Sequence, residues 1–561
     1  MRRLWNNTSV ALSLSLSLSL SCAVLALAHP QPEPQQQPWL DLPQQHQQRP
    51  FAPFRNSRQP LFPTDNRDNR DNRDNSNTGT YARFDGEQVL RVDVSSREQL
   101  RLLEQTVEVY NLDLWSNLRI GTVDVRVPVS KLNDFKTATQ TIPSTVMIPD
   151  LQALVPEQPP AMMIQNRQSG DWNFTDNTFW QNYHEFETLN NFTETMVKEY
   201  PKLVKRVSIG HTFEGREIFG MSIHGYKVKK DKKRKGSSTV DWADKDLDEE
   251  EDGDEDEDED EEEEENENES DVDVLGERAS WWPGFLGRKA RVTKKPSKPK
   301  KHPKAIVIDA GQHAREWIGP AIATYIAKEL ILGYRNNKKI TRLVNQFEFV
   351  IVPVLNADGY VYTWEHNRMW RKNRQPTSIP LCPGIDPNRN WGYLWSNEGP
   401  SANPCNEAYH GPEAFAANES KMMSEFIRER KNVVSYIDLH SYSQLWMSPF
   451  GGDCSIIPKD NEDIMEAGMG AAKALHDVHG KKFTVGSICD VIQEASGGSI
   501  DWTYAVGGVK YSYFVELRDT GRYGFMLPES EILPSAEETM AGVMYLAKFI
   551  RIREKQWGYM V

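Results

Sequence analysis

From Trp172 onward, short runs of β-branched and aromatic residues alternate with longer stretches of helical period, and few architectures accept that alternation. The strand-like runs are "KAIVID", "FEFVIVPVL", "VVSYIDLH" and "YSYFVEL"; "FTETMVKEYPKLV", "IATYIAKELILGY" and "KMMSEFIRERK" carry the helical spacing. Strands this uniformly apolar must be covered on both faces. An α/β fold with a central mixed sheet flanked by helices is therefore expected over residues 172–561. In such folds, sites form at the strand ends.

A chain of 561 residues exceeds one ordinary core, and the text before Trp172 divides further. Residues 81–154 read strand, helix, strand, helix, strand ("QVLRVDV", "REQLRLLEQTVEVYN", "TVDVRVPV", "KLNDFKTATQTI", "TVMIPD"), which predicts a small αβ sandwich with an antiparallel sheet. Residues 1–28 have the basic start, apolar run and small-residue cleavage site of a secretory signal. Residues 29–80 are rich in Pro, Gln and Asn and offer no apolar face, so disorder is expected there. A Pro-rich connector, 155–171, suits proteolytic cleavage, with a cut near Arg167.

The formal net charge of −15 is a local property. Of the 81 acidic residues, 24 lie between Asp241 and Asp273, leaving 57 against 65 of the 66 lysines and arginines. This run belongs to an insertion, 227–302, in which basic, acidic and basic blocks follow one another. Adjacent blocks of opposite sign neutralise each other in a solvated loop, which argues against a nucleic-acid partner. The flanks, "IFGMSIHGY" and "KAIVIDA", are expected to be adjacent strands joined by a disordered hairpin loop. No stretch outside the signal is apolar enough to span a membrane. Cys22 falls in the signal, so Cys382, Cys405, Cys454 and Cys489 form an even set that suits an oxidising compartment and leaves three pairings open. Sequons at Asn173, Asn191, Asn268 and Asn418 point to the same compartment.

In "VIDAGQHAREWIGP", His313 and Glu316 stand three apart where a strand ends and a helix begins. Both side chains leave one turn, and imidazole nitrogen with carboxylate oxygen suits zinc. The best third ligand is His440, where "YIDLHSYSQ" ends another strand. Two His and one Glu leave a fourth position open, the catalytic pattern.

The motifs "HAREW", "NADGYVYTWEHNRMWRKNR", "CPGIDPNRNW", "NPCNEAYHG", "HSYSQ", "SGGSIDW" and "VELRDTGRYGF" follow in order. With them the chain resembles the zinc metallocarboxypeptidases of the pancreatic carboxypeptidase A/B type. The resemblance implies a mixed eight-stranded sheet with flanking helices, one zinc ion, and, over 81–154, a ferredoxin-like activation domain that covers the site in a zymogen. It implies Glu516 as general base, Arg371 as the group polarising the scissile carbonyl, and Asp386 as the residue orienting His313. Asn388 and Arg389 are implied for the substrate's C-terminal carboxylate, with Arg315 and Tyr442 also on the substrate side. Cys382 with Cys405 matches a family disulfide, and Cys454 with Cys489 a second one found in some members.

Gln493 stands where the family usually places a mobile tyrosine. Gln can hydrogen-bond but offers no phenolic proton or aromatic lid. Ile500 stands where basic-specific members carry an aspartate, beside the uncharged Met447, Ile488 and Ala495, so apolar or aromatic C-termini are expected as substrates. "WRKNRQPTS" with "CPGID" also resembles a fungal cell-wall-biogenesis branch of pseudo-carboxypeptidases, and the alternative is an inactive protein of that type. Peptide or protein C-termini and an activating protease are the expected partners, the chain a monomer, and the destination extracellular or, alternatively, vacuolar.

Overall fold

The computed structural model describes residues 81–155, 173–226 and 303–558. The signal, the segment 29–80, most of the connector and the insertion 227–302 lie outside the described residues.

The N-terminal module is a four-stranded antiparallel sheet in the order β2-β3-β1-β4, with β1 Gln88–Val94, β2 Asp113–Leu114, β3 Gly121–Val127 and β4 Ser144–Ile148. Helices α1 (Arg97–Tyr110) and α2 (Val129–Ala138) contribute Leu103, Val107 and Phe135 to a core with Leu90, Val92, Val123 and Val125. α1 starts on Ser96, whose hydroxyl accepts from the Gln99 amide, and stops at Asn111, which adopts the left-handed conformation that asparagine tolerates at a helix end. Alternation sends Val89 and Ile148 to the other side, where with Trp115 and Leu151 they pack against Met369, Tyr442 and Phe525 of the larger module.

The larger module is built on eight strands in the order β11-β10-β12-β9-β7-β8-β6-β5. These are β5 Val204–His211, β6 Glu217–Ile223, β7 Lys304–Ala310, β8 Phe347–Val352, β9 Val433–Ser441, β10 Leu445–Ser448, β11 Thr484–Ser487 and β12 Tyr511–Leu517. The central strands β12, β9, β7 and β8 are parallel, while β6 and β5 continue antiparallel on one side and β10 pairs antiparallel with β12 on the other. One face carries α3 (Phe186–Glu199), α4 (Ile318–Gly333) and α11 (Ile532–Gly558) against Ile306, Ile308, Ile437, Leu439 and Val515. The opposite face holds Val307, Tyr436 and Phe514 beneath Met423 of α7 (Asn418–Arg430) and Ile500 of α10 (Ser499–Ala505).

Two expectations change. The strands flanking the insertion, β6 and β7, are not neighbours, because β8 lies between them. The hairpin partner of β6 is β5, reached through the tight turn at Thr212–Arg216, and β8 enters beside β7 by a crossover through α4 and α5 (Lys338–Gln346). The helical run "FTETMVKEYPKLV" also ends early, at Glu199, since Pro201 lacks the amide to continue it.

Candidate active site

Strand period decides which side chains face the site. On β9, Ile437 and Leu439 enter one core, so Asp438 and His440 share the other face with Tyr436; on β12, Glu516 shares that face with Phe514. The parallel register sets Glu516 directly beside His440. β7 ends at Ala310, and Gly311, at φ 68°, turns the chain in a conformation that a Cβ would strain. The following loop is pinned at its far end by Trp317, stacked on Trp364 at 4.1 Å with its indole N–H on Thr363, and by Arg368 over the indole at 3.7 Å. His313 and Glu316 are thereby fixed beside His440.

These three side chains are buried and converge. His313 Nδ1 lies 2.9 Å from one Glu316 oxygen, His440 Nδ1 lies 2.9 Å from the other, and the two Nδ1 atoms are 3.0 Å apart. The far nitrogens differ: His313 Nε2 bonds to Asp386 at 3.0 Å, whereas His440 Nε2 is met by Asn388 Nδ2 at 3.2 Å, with an unpartnered Asp438 oxygen 2.9 Å away. With the His313 proton on Nε2 towards Asp386, its Nδ1 lone pair, His440 Nδ1 and the Glu316 carboxylate converge on one point. A divalent cation resolves that arrangement, and the donor set fits zinc. Burial opposes the charge on Glu316, yet the two imidazoles hold its carboxyl below the usual range. Burial likewise opposes ionisation of Asp386, but Arg371 and His313 keep it well below.

Around this centre the other expected residues assemble. Arg371 donates to Asp386 through Nη2 (2.9 Å) and Nε (3.2 Å) and lies 3.7 Å from Glu316. One Glu516 oxygen is buried without a partner, and burial, reinforced by Glu316, pushes its carboxyl up to about 8. A single turn at Pro387–Arg389 presents Asn388 and Arg389, and Asp386 caps that turn by accepting from the Asn388 amide. Burial and the nearby Arg371 lower the pKa of Arg389, which leaves an anion as the favoured neighbour. Ile500 is buried with Met447 and Ile488, and Ala495 packs against the same cluster. Asp501 next to it is turned away, accepting from the Gly451 (3.0 Å) and Gly452 (2.7 Å) amides. Gln493 is half-buried just beyond the short helix α9 (Ile488–Val491). Disulfides join Cys382 to Cys405 and Cys454 to Cys489. Asn173 and Asn191 are exposed and Asn418 is half-buried at the first turn of α7; Asn268 lies outside the described residues.

Arg315 and Tyr442 are covered by the N-terminal module. Arg315, with no exposed side-chain surface, pairs with Asp113 through two contacts of 2.7 and 3.1 Å, and Asp113 also meets Arg126 at 3.4 Å. The Tyr442 hydroxyl donates to Asp124 at 2.8 Å, Arg91 clamps the same carboxylate, and Arg119 donates to the Val491 carbonyl.

Sequence comparison decides the family. A family model described as "Zinc carboxypeptidase" matches residues 189–265 and 285–542, and one described as "Carboxypeptidase activation peptide" matches 90–158. The chain belongs to the zinc carboxypeptidases. It is 34% identical to Carboxypeptidase A2 of Mus musculus over 474 residues, spanning 83% of this chain and 94% of that protein. It is 31% identical to the Inactive metallocarboxypeptidase ECM14 of Ajellomyces dermatitidis, over 84% of this chain and 73% of that one. Among solved structures, that of thrombin activatable fibrinolysis inhibitor matches with a TM-score of 0.63 at 27% identity, over 83% of this chain and 98% of that one.

Sequence reasoning missed four residues of this carboxypeptidase's site. Asp113 and Asp124 act across a module boundary that no local pattern records. Gln312 and Asp438 are nearer to hand, since Asp438 precedes His440 by two on one strand and period two places both on one face.

Proposed function

We propose that this chain hydrolyses the C-terminal residue of peptides and proteins, is made as a zymogen that a protease activates, and acts after secretion on chains ending in apolar or aromatic residues. The observation that carries this reading is the placement of the Glu516 carboxyl beside His440 on the adjacent strand, with Arg371 and Arg389 close enough to act on it.

His313, Glu316 and His440 would hold one zinc ion, which would supply Lewis acidity at the scissile carbonyl and the attacking water. Glu516 accepts the proton of that water and returns it to the leaving amine. Arg371 donates to the oxygen that becomes anionic in the transition state. Asn388 and Arg389 hold the free carboxylate that marks a chain end, a task suited to a guanidinium fork. Asp386 keeps His313 in the ligating tautomer. With Asp501 committed to two backbone amides, the floor formed by Ile500 offers a cationic side chain no counter-charge.

Gln493 favours a second reading, a zinc-binding protein without turnover, in line with the relative named as inactive. One experiment separates them: protease-treated protein is assayed for chelator-sensitive release of Phe or Leu from N-blocked peptides. Release supports the enzyme, while stoichiometric zinc with no release establishes the inactive form.

A further inference from the structure

Asn373 and Asn390 follow Arg371 and Arg389 closely in the chain, are fully buried, and have no part in the reaction described above. Every hydrogen-bonding position of each side-chain amide is taken. Asn373 Nδ2 donates to Glu419 at 2.8 Å and to Gln375 Oε1 at 2.9 Å, while its Oδ1 accepts from the backbone amides of Ile385 (2.8 Å) and Gln375 (3.2 Å). Asn390 Nδ2 donates to the carbonyls of His410 (2.6 Å) and Glu413 (2.7 Å), while its Oδ1 accepts from the Ala417 amide at 2.8 Å and the Ser420 hydroxyl at 3.2 Å.

Both networks end on the start of α7. The residue at its N-cap is Ala417, whose methyl group cannot cap, so two amides there are met from outside: that of Ala417 by Asn390, and that of Asn418 by Gln375 Oε1 at 2.7 Å. Gln375 Nε2 returns a bond to the Ala416 carbonyl at 2.9 Å. At their other ends the networks fix the backbone that carries each arginine. Asn373 exchanges two bonds with Ile385, one through its side chain and one from its own backbone amide at 3.0 Å. The next residue, Asp386, is the carboxylate to which Arg371 donates twice. Asn390 closes the turn Pro387–Arg389, and its carbonyl accepts from the Phe415 amide at 2.7 Å. Losing either side chain would leave buried amides unpaired beside an arginine, whereas a fully satisfied buried network holds one arrangement.

We infer that Asn373 and Asn390 are positioning residues that hold two arginines separately against the first turn of α7: Asn373 sets Arg371 for the developing oxyanion, and Asn390 sets Arg389 for the substrate's terminal carboxylate. This rests on the roles proposed above for the two arginines.

The test is a split in kinetic constants, measured on protease-treated, zinc-loaded full-length protein with an N-blocked peptide ending in Phe. An interaction made only in the transition state appears in kcat, and one made equally in the ground state appears in KM. A displacement of about 1 Å can cost about 10²-fold, so Asn373→Ala is expected to lower kcat about 10- to 100-fold with KM changed less than about threefold. Asn390→Ala should raise KM about 10- to 100-fold with kcat changed less than about threefold. Calorimetric titration with 3-phenylpropionate, a terminal carboxylate with no peptide bond, reads the second effect without turnover: Asn390→Ala should weaken binding about 10-fold or more, and Asn373→Ala less than about threefold. Should the alanine variants fail to fold, Glu419→Leu and Ser420→Ala, each removing one bond from one asparagine, should split in the same sense by about two- to tenfold. Equal losses of kcat in both variants with KM and probe affinity unchanged, the pattern of a smaller folded fraction, overturn the inference, as do wild-type constants in either. A wild type without turnover refutes the enzyme reading and with it the Asn373 half, while the titration still decides the Asn390 half.

Discussion

Replacing Asp113 with alanine should wake the uncut protein. Its carboxylate accepts two hydrogen bonds from Arg315, whose side chain is wholly buried, and is itself only 12% exposed, so solvent screens the pair little. Breaking a buried pair by removing one partner costs about 3–5 kcal/mol. Arg315 keeps its place over the Phe525 ring and longer contacts to the Met369 and Leu114 carbonyls, which argues for the lower end. At about 1.4 kcal/mol per tenfold, a loss of about 3 kcal/mol raises the open fraction, and with it the residual activity, on the order of 100-fold. The ceiling is the activity of the cut enzyme, since Asp124 still holds Tyr442. The assay is hydrolysis of an N-blocked peptide ending in Phe, with intact chain length checked by electrophoresis before and after. An uncut Asp113→Ala protein as silent as the uncut wild type, when both are fully active once cleaved, would show that this pair does not hold the module in place.

Glu516→Gln should lower turnover at least about 10²-fold with zinc content unchanged, measured by steady-state kinetics and metal analysis. The same substitution should flatten a pH dependence in metal-free protein. The folded Glu516 carboxyl is raised from an ordinary 4.5 to about 8, so the folded state binds the extra proton between those values, and the stability this confers at low pH is lost as pH rises towards 8. Thermal melts of the two metal-free proteins from pH 5 to 8.5 should therefore diverge, the wild type falling more steeply; parallel curves would contradict this. Release of C-terminal Phe or Leu should outpace that of Lys or Arg, and Ile500→Asp should narrow or invert the ratio in a competition assay.

Period and motif spacing made the metal centre and both sheets legible, because each depends on residues near in sequence or on one strand face. His440 and Glu516 could be assigned to strand ends without knowing that β9 and β12 are neighbours. Pairing order was less accessible: "IFGMSIHGY" and "KAIVIDA" look like hairpin partners until β8, more than 40 residues on, is known to pair with both. Short elements escaped as well, since β2, with two residues, and β10 and β11, with four each, are too brief for alternation to register. α11, with 27 residues, carries Ser, Glu and Lys among its apolar positions, and its role as a cover for α8 (Asn461–His479) emerges only from packing. The lock through Asp113 and Asp124 depends on how two modules meet, and each aspartate alone reads as an ordinary polar strand residue.

The spacing of Glu516 from His440 is not tuned by loops. His440 and Glu516 are opposite numbers on paired parallel strands, so their spacing is the ladder spacing of a sheet, about 4.8 Å between strands. A substitution at 516 therefore leaves the rungs, the ligands and the cleft where they were. On the proposed role of Glu516, hydrolysis can therefore be switched off by one codon with the ladder and the metal ligands left in register, and a bound zinc ion is no witness to turnover.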